Sequence, residues 1–119
     1  MRLLLSGLLL LVIAGCGDDS IPLNEYVERA DNICRDVVEP TKNAKSMREI
    51  VDISRSAMTR IDELPRPDER QDDAEAFETS MRKLIDSMEG PAEQNRAQGD
   101  KTVKAAKDLG LQVCAQGTG

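Results

Sequence analysis

The chain has 119 residues, a formal charge of −6 from 16 basic and 22 acidic side chains, one Tyr, one Phe, no Trp and no His. The negative balance and the lack of stacking aromatics argue against nucleic acid as a partner. The missing histidine removes the usual general base, the Ser-His-Asp arrangement and the commonest metal ligand.

The first element is apolar and short. Leu3 to Ala14 spans twelve residues, ten of them strongly apolar or Ala, with Arg2 before and Asp18 and Asp19 soon after. As a helix it would rise roughly 18 Å at about 1.5 Å per residue, well short of a hydrocarbon core of about 30 Å. A basic start, a short apolar stretch and small residues at its end are the layout of a secretory signal. The run ends in Ile13-Ala14-Gly15-Cys16, which resembles the lipobox of bacterial lipoproteins over residues 1–16. The resemblance implies that the Cys16 thiol receives a diacylglyceryl group and that the chain is cut before it. A thiolate suits that alkylation because it is a strong side-chain nucleophile, and two acyl chains anchor stably where one is marginal. It further implies a signal peptide over 1–15, a lipid-anchored tether over 16–22 and a body over 23–116 on the extracytoplasmic side of the cell membrane. Gly17 rather than Asp after Cys16 points to the outer membrane in a cell that has two.

Without residues 1–15 the chain keeps all 22 acidic and 15 of 16 basic residues, a formal charge of −7, and Leu, Ile, Val and Phe make 18 of 104 residues. That fraction lies under the roughly 20% at which disorder becomes a concern, so periodicity has to decide. Leu23, Tyr26, Val27, Ala30, Ile33, Cys34, Val37 and Val38 recur at three- and four-residue steps and predict a first helix. Asn24 is its expected cap, and Pro40 is expected to end or kink it near Glu39. Met47, Ile50, Val51, Ser54, Met58, Ile61 and Leu64 give a second. "LPRPDERQ" then reads as a turn, with Asp68 as cap and Gln71 as its capping-box partner. Ala74, Phe77, Met81, Leu84, Ile85 and Met88 mark a third helix, broken at Gly90-Pro91, with a polar turn or two running on to Gln98. Gly99-Asp100 reads as another turn. The last helix is expected over Lys101 to Leu109, with Val103 and Ala106 inward and Gly110 as its stop. No stretch alternates as a strand does. The expected fold is all-α, a small up-down bundle of about four helices.

With Cys16 assigned to lipid, Cys34 and Cys114 remain as an even pair in an exported chain and are expected to form one disulfide. It would close a loop of 80 residues, worth about 4 to 5 kcal/mol in chain-entropy terms. "YVERADNIC" and "LGLQVC" also resemble the ends of small exported helical proteins of actinobacteria. That group has no established activity, so the resemblance implies fold and compartment alone.

Signals for chemistry are weak. The serines show no elbow and no S-x-x-K spacing, and Asp72-Asp73 reads as acidic charge at a helix start. Asp68, Glu69, Asp72, Asp73 and Glu75 lack the order of a calcium loop. Met47, Met58, Met81 and Met88 are adaptable core filling before they are copper ligands. No enzymatic activity, metal or cofactor is expected. The expected partners are the membrane, through Cys16, and an envelope protein that the sequence does not identify. The leading expectation is a non-enzymatic interaction or structural module. The alternative is a carrier of a small apolar ligand within the bundle.

Overall fold

A computed structural model describes residues 20–116. The expected signal segment 1–15, Cys16 and residues 17–19 of the expected tether lie outside the described residues. Four long helices carry the body: α1 (Leu23–Asp36), α3 (Met47–Asp62), α4 (Gln71–Ser87) and α5 (Ala92–Leu109). A five-residue helix, α2 (Val38–Lys42), extends α1, and a 3-10 turn, Cys114–Gln116, ends the described chain. Among the described residues there is no strand, only one isolated bridge between Ile21 and Pro67. The all-α bundle and its single disulfide are as the periodicity and the cysteine pair predict.

Cross-helix pairs fix the up-down order. Asp36 meets Arg60 at 3.1 Å, Arg55 meets Asp86 at 3.5 Å, and Asp62 pairs with Arg82. Asn95 Nδ2 donates to Ser87 Oγ at 3.0 Å, and Thr102 Oγ1 donates to the Ser80 carbonyl at 3.0 Å. Each successive helix therefore runs back along its predecessor, in the row α1, α3, α4, α5. One core runs through them, with Tyr26, Ile61, Phe77 and Leu109 at its centre and no more than 1% exposed.

Four local expectations are corrected. Asn24 is not the cap of α1; it lies exposed inside the first turn, and Pro22 occupies the cap position. Pro22 offers no side-chain oxygen, and the free N–H of Leu23 donates instead to Asp68 Oδ1 at 3.2 Å, 45 residues along the chain. Asp68 thus does not cap α4. Arg70 holds that position in the left-handed region, at φ 57°, and its Nε donates to Asp73 at 2.8 Å.

Pro40 does break the helix, but the break falls at Val37 rather than at Glu39, because a proline ring crowds the carbonyl four residues back, here Asp36. Pro40 itself sits in the first turn of α2, where its missing N–H has no intrahelical role. A capping motif lies at the start of α3. Ser46 Oγ accepts from the Glu49 N–H at 3.2 Å, and Glu49 Oε2 accepts from the Lys45 N–H at 2.7 Å.

Gly99-Asp100 makes no turn; α5 runs unbroken through both. Tertiary contact outweighs the weak helix propensity of glycine here. Gln98 Nε2 and Thr102 Oγ1, on either side of Gly99, both reach the Ser80 carbonyl of α4. A Cβ built on Gly99 would touch Leu84 Cδ1 at 3.8 Å, an ordinary packing distance. Gly110 does stop the helix, at φ 97°, where the Leu111 N–H returns to the Ala106 carbonyl at 2.9 Å.

Gly99→Ala should accordingly stabilise the body by about 0.5–1 kcal/mol, since helical glycine costs about that much relative to alanine. Thermal unfolding would show a midpoint a few degrees higher. A lower midpoint would mean that α4 and α5 cannot accept the methyl group.

Candidate functional site

Two clusters of polar side chains are built into the body. The first joins α1 to the C-terminal tail. Asp31 is 9% exposed and stands on the apolar stripe of α1, between Ala30 and Ile33. Its Oδ2 accepts from the Gln112 N–H at 3.0 Å, and its Oδ1 from the N–H groups of Val113 and Cys114 at 2.9 and 3.1 Å. One carboxylate thus gathers three successive backbone donors just after α5 ends. Beside it Cys34 and Cys114 are bonded, the pair expected from the sequence, closing the 80-residue separation. Asp31 is missing from the sequence-level candidates. The signal was present, four residues after Val27 and three before Cys34, an acid on an apolar face.

The second cluster lies between α1, the α3–α4 loop and α4. Glu78 is 3% exposed and accepts from Arg66 Nη1. Arg82 and Asp62 pair nearby, and the phenol of Tyr26 is buried without a hydrogen-bond partner of acceptable geometry. Burial pushes the Glu78 carboxyl above its ordinary value, and the Arg66 guanidinium only partly opposes this. Burial, then the neighbouring Glu78 carboxylate, raise the Tyr26 phenol well above its own ordinary value. Glu78 too was legible as an anomaly, since it follows Ala74 by four residues on the inward face of α4.

Perturbed acids are the usual mark of a catalytic centre when they line a cleft. Here they do not. The described grooves are shallow and open, and neither Tyr26 nor Glu78 lines them. One, of about 400 Å³, runs between Val37, Pro40, Ile53 and Ala57; the other lies beside Ile33 and Leu64. Among the described residues no three of Cys, Asp and Glu are placed to hold a metal ion. The methionines do not converge either: Met58 is buried, Met81 and Met88 pack against the core, and Met47 is exposed. The acidic run after Pro67 is dispersed, with Asp68 on Leu23 and Asp73 on Arg70. No helix among the described residues is long and apolar enough to cross a membrane. Cys16, the expected lipidation site, lies outside the described residues.

Replacing Asp31 by Ala strands three buried or half-buried N–H groups. Hydrogen bonds to a charged group are worth about 1.5–3 kcal/mol, so Asp31→Ala should lose about 3 kcal/mol in urea unfolding with the disulfide intact. Amide exchange at residues 112–114 should rise in parallel. An unchanged midpoint would show that the disulfide alone holds the tail. For Glu78 the sign follows from a folded-state pKa above the unfolded one. Its contribution is fully present below the ordinary carboxylate value of 4.5 and is lost as pH rises through the shifted value. Glu78→Gln cannot ionise, so its stability relative to the parent should climb between pH 4 and 8. A falling difference would show that the Arg66 pair outweighs burial.

The chain matches no family model, no curated protein and no solved structure at a significant level.

Proposed function

We propose that the chain is a membrane-tethered lipoprotein of the cell envelope, held by lipid on Cys16, whose helical body serves as a non-enzymatic interaction or structural module. The observation that carries this reading is the division of labour among three cysteines. Cys34 and Cys114 are consumed by a disulfide, which fits an oxidising, extracytoplasmic compartment. Cys16 is the one left over, and it follows Ile13-Ala14-Gly15 at the end of an apolar run too short to span a bilayer. A pinned start to the body also suits a tether: the Ile21 N–H donates to the Arg66 carbonyl at 2.9 Å, and the Asp68 N–H donates to the Ile21 carbonyl at 2.7 Å. Carriage of an apolar ligand draws no support from grooves this shallow.

Metabolic labelling with an alkyne fatty acid tests the anchor. The parent should take up label, lose residues 1–15 and partition with membranes. Cys16→Ser should take up none, and any processed form of it should be released. Label on Cys16→Ser, or membrane retention of its processed form, would overturn the assignment. Crosslinking in intact cells tests the module, for which a specific envelope neighbour is expected.

A further inference from the structure

We infer that the corner formed by α2 and the start of α3 is a second membrane contact, one that lays the body against an anionic phospholipid surface. The inference rests on the lipid-anchor reading above. Among the described residues only two large hydrophobic side chains are prominently exposed, Val38 at 40% and Met47 at 49%. Both belong to this corner. Lys42, Lys45 and Arg48 are exposed between and beside them, and none forms an ion pair among the described residues. Glu39 and Glu49 are the acids nearest in sequence, and the Glu49 carboxylate already holds the Lys45 N–H. Over residues 38–49 three cations stand against two acids, a net charge of +1 in a chain whose total is −6. Exposed apolar side chains interleaved with cations are the composition that adsorbs to anionic headgroups.

Covalent reach makes this contact available. Ile21 is fixed to the α3–α4 loop by its two backbone hydrogen bonds. Five Cα steps separate it from Cys16, so the pinned point stays within about 18 Å of the anchored residue. Val38 lies 17 residues further on, about 25 Å away along α1. A body on so short a leash either stands on its pinned end or lies down on one side. Charge selects between them. Around the pinned end Asp68, Glu69, Asp72, Asp73 and Glu75 outnumber Arg66 and Arg70, and anionic headgroups repel that surface. The opposite corner is attracted. Three cations and two apolar side chains adsorb weakly alone, but a tether at one end raises their effective concentration at the bilayer.

The chain contains no tryptophan, so Met47→Trp introduces a single reporter at an exposed position. The mature, lipidated Met47→Trp protein is to be reconstituted into vesicles of phosphatidylcholine alone and of phosphatidylcholine with 30% phosphatidylglycerol, each containing brominated acyl chains. Both should retain the protein. Bromine quenching of the tryptophan should be several-fold stronger in the anionic vesicles, with a blue-shifted emission. High salt, or added Lys42→Glu, Lys45→Glu and Arg48→Glu, should abolish the difference. A tryptophan placed instead at exposed Ala97 on α5 should show none. Equal, weak quenching at position 47 in both vesicles overturns the second contact while leaving the anchor intact. Failure of the protein to float with phosphatidylcholine vesicles overturns the anchor and the two-point attachment together.

Discussion

Closure of this bundle depends on one carboxylate. The helices form a row in which α1 meets α3, α3 meets α4 and α4 meets α5, and it is the tail after Gly110 that brings the last helix back to the first. Asp31 captures that tail by three backbone N–H groups in succession, and the Cys34–Cys114 bond locks it one turn further along α1. These restraints act on different states. The disulfide acts mainly by limiting the unfolded chain. The carboxylate acts in the folded state, satisfying the N–H groups of Gln112, Val113 and Cys114 beside the buried Leu111 and Cys114 side chains. A core with one Phe and one Tyr has little apolar area to spare, and this fixed seam keeps Leu109, Leu111 and Ala106 in one buried cluster with Tyr26 and Ala30.

The second buried acid has the opposite character. Glu78 loses hydration on folding and regains only part of it from a half-exposed Arg66. A buried ion pair of this kind is weak evidence of stabilisation, because desolvation offsets much of the attraction. What it does is tie the α3–α4 loop to α4: Arg66 belongs to the loop that also receives Ile21, and Glu78 belongs to α4, while the Tyr26 phenol of α1 lies buried beside them without a partner. The loop 63–70 is thereby held from both sides, and the start of α1 is held with it.

Periodicity carried the helices because burial on one face imposes it whatever the neighbours are. The buried apolar positions of α1, α3 and α4 are legible on this ground, whereas Val38 and Met47, which fall in the same series, stand exposed at 40% and 49%. Caps are less legible, since they depend on partners that periodicity does not locate. Asp68 has the right residue type for a cap, and it does cap a helix, but the one that starts 45 residues earlier. Gly99 has a strong local tendency that yields to the packing of α5 on α4, while Pro40 keeps its own, breaking the helix at Val37 and taking a first-turn position that needs no N–H. Asp31 and Glu78 stood in the inward stripes as plain exceptions to them. An acid on an apolar face asks for a partner, and the sequence alone could not supply the backbone donors of residues 112–114 or the side chain of Arg66.

On the lipid-anchor proposal, these same restraints give a short tether its meaning. A flexible start to the body would let any face turn toward the bilayer, and five residues of leash would then constrain nothing. Here the leash ends at Ile21, hydrogen-bonded on both sides of its backbone to a loop that Glu78 anchors through Arg66. Force or proximity applied at Cys16 is therefore delivered to the interior of the bundle rather than to a frayed terminus. The acidic surface next to that point and the cationic corner at the far end of α1 become a fixed pair with a fixed separation. An anionic surface acting on such a pair exerts a torque, and the rigidity that turns it into orientation comes from the same buried acids that close the fold.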